Sequence, residues 1–106
     1  MKISRITFTI DNLEKGEKIA SELLERRWIA CVQVCAPIQS VYRWKGKMEH
    51  SKEWKFDLKT TLEGTPSVVQ FIRENHSYEV PEILTEETIS ANPEFSQWIL
   101  EECSGL

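Results

Sequence analysis

A chain of 106 residues has room for one domain, since domains run to about 100–150 residues, and residues 1–106 are read as a single unit. A net charge of −4 and a pI near 5.2 exclude the basic face through which nucleic-acid binders neutralise phosphate. No stretch approaches the ~20 apolar residues that span a bilayer, and no signal-peptide core follows Met1. Three cysteines without paired spacing fit reduced thiols, and so a cytosolic protein with no membrane insertion.

Ile3 to Ile10 alternates as a strand, with Ile6, Phe8 and Ile10 on one face and Arg5, Thr7 and Thr9 on the other. Asp11 reads as a helix N-cap with Glu14 completing a capping box, and Ile19, Ala20, Leu23 and Leu24 follow at helical spacing, predicting a helix over Glu14 to Arg27. Trp28 to Tyr42 is β-branched, with Val32, Val34, Ala36 and Ile38 alternating against Cys31, Gln33, Cys35 and Pro37. Pro37 cannot donate to a ladder, so a bulge or sheet edge is expected there. From Ser51 the alternation puts Trp54, Phe56, Leu58, Thr60 and Leu62 on one face and Glu53, Lys55, Asp57, Lys59 and Thr61 on the other. Gly46 marks the hairpin between these two runs.

Thr65-Pro66 predicts a helix start, with Thr65 as cap and Val68, Val69 and Ile72 as the buried stripe. Glu82 to Ser90 is a weaker strand, and Asn92-Pro93 starts a short helix expected to turn Phe95, Trp98 and Ile99 inward. The order β-α-β-β-α-β plus a helix is an α+β, ferredoxin-like sandwich. Its hairpin strands, at roughly 12–15 residues or about 40–50 Å, outrun a helix of about 21 Å. Val41, Tyr42, Trp44 and Trp54 would then stand uncovered, and a symmetric homo-oligomer would cover them; a three-fold ring lets each hairpin cross onto its neighbour.

Five segments carry a further message: Ile29-Ala30-Cys31-Val32, Val41-Tyr42-Arg43-Trp44-Lys45-Gly46-Lys47, Leu58-Lys59-Thr60-Thr61, His76 with Tyr78 and Val80-Pro81-Glu82-Ile83, and Asn92-Pro93 with Trp98. In this order the chain resembles the CutA (CutA1) divalent-cation-tolerance family, from about Ile6 to Trp98. The resemblance implies a ferredoxin-like subunit in a PII-like homotrimer, built by inter-subunit strand pairing. It also implies a link to copper or another divalent cation, as tolerance or response to metal ions. The resemblance implies that the copper site assigned to one branch of the family maps onto Phe8, Asn75 and His76, of which only His76 can bind metal, so that site looks degraded. Other departures are His76-Ser77-Tyr78 for the usual His-Pro-Tyr and Gln33 for the usual asparagine.

The candidate ligand cleft is the one the resemblance places between subunits, with Tyr78, Glu79 and Glu82 and the basic side chains Arg43, Lys47 and Lys59. The plain alternative is that Tyr78 packs, Pro81 fixes a turn and Glu82 pairs with Arg43 or Lys47. His76 and Cys31 are the candidate metal ligands, set against a hydrogen-bonded histidine ending a helix and a small core side chain. Cys31 and Cys35 share a strand face about 13 Å apart, so one copper joins them only across a trimer axis. His50 reads as a solvated loop residue, Cys103 as part of a frayed terminus and Trp44 as an interface anchor.

No catalytic residue is assigned, and the leading reading is a binding or signalling module. A small hydrolase acting in the intersubunit cleft is the alternative. Acidic Asp11-Asn12-Leu13-Glu14 argues against an acylphosphatase-like phosphate loop. Lys55 and Asp57 stand where an RNA-binding sheet needs aromatics.

Overall fold

The computed structural model describes residues 1–106, the side chain of Ala36 excepted. Four strands, β1 (Lys2–Ile10), β2 (Cys31–Trp44), β3 (Lys47–Thr60) and β4 (Ile83–Ile89), form one antiparallel sheet in the order β2-β3-β1-β4. With α1 (Leu13–Glu25) and α2 (Thr65–Asn75) against it, this is the expected α+β, ferredoxin-like arrangement, and α3 (Pro93–Glu102) follows as the additional helix.

The core lies between the sheet and the two helices. Ile6, Phe8 and Ile10 of β1 meet Phe56 and Leu58 of β3 beneath Ile19, Ala20 and Leu23 of α1 and Val68 and Ile72 of α2. The Phe8 and Phe56 rings stack with centroids 4.9 Å apart, so paired residues in the β1–β3 register pack directly. Gly16 lets α1 sit down on this pair, because a Cβ there would run into the Phe56 ring.

Several local expectations change. Asn12, not Asp11, caps α1, its side chain accepting from the Lys15 N–H at 3.0 Å. Gly64 precedes α2 without a side-chain cap, and the Thr65 hydroxyl instead bonds Ser4 Oγ at 2.7 Å. Leu62 falls beyond the end of β3. Trp54 is half-buried against the core rather than left on the uncovered hairpin. His50 is a strand residue opposite Val41, and it is exposed.

The C-terminal helix differs most. Its inward residues are Ser96 and Ile99, with Cys103 at its end, packing beside Ile3. Phe95 and Trp98 stack on each other at the surface, 37% and 40% exposed. A serine at position 96 allows the close approach that two aromatic rings would block. Cys103 is therefore buried, with its sulfur 3.6 Å from the Thr60 hydroxyl, and is not part of a frayed end.

Candidate functional site

Pro37 marks the place where the site is made. Cys35 pairs with Lys55, but Ile38 pairs with Glu53, so β2 carries one more residue than β3 between them. Such a bulge turns every later side chain to the opposite face. Ile38, Ser40, Tyr42 and Trp44 thereby join Glu53 on the sheet face turned away from α1 and α2. The strict alternation expected through Ile38 ends at this point; the Ala36 side chain, expected on the Val32 face, lies outside the described residues. The hairpin then closes through Lys45 and Gly46 at φ 50° and 81°, the left-handed pair of a tight two-residue turn.

The other wall comes from the segment after α2. His76 ends that helix, sets its ring edge-on to Phe8 and bonds the Thr9 carbonyl through Nε2 at 2.8 Å. Its Nδ1 accepts the Tyr78 N–H at 3.0 Å. The imidazole therefore steers the chain past the end of β1 and brings Tyr78 to Glu53. The phenol donates to Glu53 Oε2 at 2.5 Å, and the Ser40 hydroxyl donates to Oε1 at 2.5 Å. Glu53 is only 5% exposed and has no ion-pair partner among the described residues. Desolvation, then the bond to Glu53 and the charges of Glu53 and Asp11, hold the Tyr78 phenol far above its ordinary value.

These groups open onto a cleft of ≈ 590 Å³. Tyr78, Glu79 and Glu82 all line it, together with Asp11, Glu53 and the aromatic rings of Tyr42 and Trp44. Arg43, Lys47 and Lys59 are not among its lining residues. Arg43 pairs with Met48 and so lies on the other face of the hairpin, whereas Lys47 sits at the tip opposite Trp44. Lys59 is six positions from Glu53 along β3, about 20 Å away, where its ammonium bonds Gln33 at 2.8 Å. Glu82 forms no ion pair with Arg43 or Lys47 among the described residues.

The two candidate metal ligands are not brought together. His76 holds the backbone of Thr9, which pairs with Lys55, while Cys31 pairs with Lys59 four positions away, about 13 Å along the strand. Both ring nitrogens of His76 are committed to backbone partners. Cys31 is half-buried on an edge strand instead of in the core, and burial pushes its thiol up against the pull of Lys59. Among the described residues, no three His, Cys, Asp or Glu side chains converge to hold a metal ion. Phe8 is fully buried and Asn75 bonds the Phe71 carbonyl, so neither joins His76 as a ligand.

Glu53 is the residue that sequence reasoning missed. Alternation placed it with Lys55 and Asp57 on the face opposite Phe56, and counting back from the Lys45-Gly46 turn places it opposite Ile38 and beside Ser40. That register was the available signal.

The sequence profile of the CutA1 divalent ion tolerance protein family matches residues 4–102. The chain belongs to the CutA1 family. A CutA1 relative from Thermotoga maritima, a divalent-cation tolerance protein, is 38% identical over 93 residues, covering 88% of this chain and 91% of its own. The structure of the CutA from Archaeoglobus fulgidus, described as a periplasmic divalent cation tolerance protein, superposes with a TM-score of 0.91 at 35% identity, covering 98% of this chain and 100% of that one. The mouse CutA protein is 33% identical over 92% of this chain. The match covers 55% of the mouse protein, so the chain spans about half the length of that relative. A relative from Arabidopsis thaliana is described as chloroplastic, so CutA1 proteins are found in more than one compartment. Among the described residues, no helix is long and apolar enough to cross a membrane.

Proposed function

We propose that this CutA1 protein is a homotrimeric, non-catalytic binding module of the divalent-cation response, with the cleft around Tyr78 and Glu53 as its ligand site. The observation that carries this reading is the built character of the cleft: a buried carboxylate fixed by two hydroxyls, at the foot of a hairpin with exposed Val41, Tyr42, Trp44 and Met48. Apolar side chains of that extent call for a partner surface, and a second and third copy supply one by symmetry. Tyr78, Glu79 and Glu82 are the cleft residues proposed to meet ligand, with Glu53 and Asp11 added to them. A phenol held protonated beside a carboxylate serves as a donor and not as a base, which favours binding over hydrolysis.

Among the described residues His76 is committed to backbone bonds and Cys31 stands apart from it, so the reading places no copper ion or other divalent cation on that pair. The cytosol is the compartment proposed, on the three free thiols. Light scattering on the purified protein tests the assembly: a mass of three times 12.4 kDa is expected, and a monomer overturns the trimer. Copper and zinc titration of wild type and His76→Ala tests the metal reading. Equal affinities are expected, and a loss in the variant would restore His76 as a ligand.

A further inference from the structure

Resting on the homotrimer of the proposed function, we propose that the cleft is completed by a neighbouring copy, whose hairpin tip brings the Lys47 ammonium to Glu53 and the carboxylates around it.

A carboxylate taken out of water calls for a counter-charge, because leaving it unpaired is costly. Glu53, 5% exposed, accepts from Ser40 and Tyr78, two neutral hydroxyls that leave its charge uncompensated. Asp11, Glu79 and Glu82 line the same cleft, and no lysine, arginine or histidine does. The foot of the hairpin is therefore negative and has no base of its own chain.

The 13 lysines and arginines of the chain narrow to one. Lys2, Arg5, Arg26 and Arg27 are held in ion pairs. Lys15, Lys18 and Arg73 ride on the helices that cover the opposite face of the sheet. Lys55 and Lys59 act on Asp57, while Lys52 and Lys45 lie over the Trp54 and Trp44 rings at 5.4 and 5.7 Å. Arg43 and Lys47 remain, both at the hairpin tip. Arg43 lies on the other face of the hairpin, whereas Lys47, paired with Trp44, shares the face of Tyr42 and Glu53. Glu53 is six positions farther along β3, about 20 Å away, so the two charges cannot meet within one chain. Between copies they can. The tip of one subunit on the foot of the next is a heterologous contact, the kind that closes into a ring. Each copy gives one tip and receives one, and opposite charges at the two ends of the arm fix the register of the contact. The ligand cleft is then composite, with aromatic and acidic walls from one copy and an ammonium from its neighbour.

Zero-length carbodiimide coupling of the assembled protein tests the contact, since it joins an amine to a carboxylate only where the two touch. Bands of two and three chains are expected on a denaturing gel, with a peptide linking Lys47 to Asp11, Glu53, Glu79 or Glu82. Lys47→Arg should lose that peptide. Charge exchange at exposed positions tests the energy. At a urea concentration where the wild type is half dissociated, Lys47→Glu should raise the subunit dissociation constant ten-fold or more. Asp11→Lys combined with Glu79→Lys should do the same. All three changes together should return the constant to within about three-fold of wild type, because the two sites interact directly. A trimeric scattering mass with Lys47 coupled only elsewhere, or not at all, overturns the proposal and leaves the homotrimer standing. Losses that simply add in the combined variant overturn it in the same way. A monomeric wild type overturns the homotrimer, and the proposal with it.

Discussion

Two buried carboxylates on β3 are held in opposite ways, and the difference assigns them different work. Glu53 has hydroxyl partners alone, whereas Asp57 accepts the Thr7 hydroxyl at 2.5 Å and has Arg5 Nε at 3.6 Å. Burial pulls the Asp57 carboxyl up, but the Thr7 bond and the charges of Arg5, Lys55 and Lys59 together outweigh it and hold the group below its ordinary value. A carboxyl depressed in the folded state stabilises the fold above its unfolded value, near 3.8. That contribution is lost as pH falls through the lower folded value. Asp57→Asn should therefore lower the urea midpoint at pH 7, and the gap from wild type should narrow between pH 4 and pH 2. A gap that stays constant over that range would show that the Asp57 charge is not what the native state holds.

At the scale of elements, the long periodic segments were legible and the interruptions were not. β1 and β3 alternate cleanly because one face packs under helices, so Ile6, Phe8, Phe56 and Leu58 could be assigned to the core directly. Pro37 announced the bulge, but its consequence is a property of pairing: only the partner strand shows that Ser40, Tyr42 and Trp44 turn to meet Glu53. The site therefore escaped a reading that placed the bulge at Pro37 without following its effect on the residues beyond. In α3 the apolar residues Phe95 and Trp98 suggested the inward face, whereas the space available beside Ile3 selects the small Ser96 with Ile99 and Cys103. Gly16 is a third case in which packing overrides local preference. Glycine inside a helix costs about 0.5–1 kcal/mol relative to alanine, so propensity alone favours Gly16→Ala. Here the added methyl meets the Phe56 ring, itself stacked on Phe8 and fully buried. The substitution should instead destabilise the protein by about 1–3 kcal/mol, the range for overpacked cores, read as a lower denaturant midpoint. A rise in the midpoint would mean that α1 can lift without loss.

For the molecule as a whole, the hairpin is the part that one subunit leaves unexplained. The radius of gyration is 14.4 Å, where a compact chain of this length has about 13 Å, and the long dimension is 45 Å against 26 and 22 Å. β2 and β3 continue past the end of β1, which pairs no farther along β3 than Trp54. Beyond it the arm exposes 52% of Val41 and 61% of Met48, and β2 keeps one free edge along its length. In the proposed trimer a copy covers this arm, so charge placed there should act on assembly before it acts on folding. Val41→Glu combined with Met48→Glu changes two exposed side chains and no core residue. The variant is expected to keep the wild-type circular dichroism spectrum while its scattering mass falls toward a single chain of 12.4 kDa. High salt should partly restore the larger mass, because screening relieves repulsion among carboxylates brought together at a symmetric interface. An unchanged mass in low salt would place the subunit contact away from this arm, and the cleft at its foot would then belong to one chain alone.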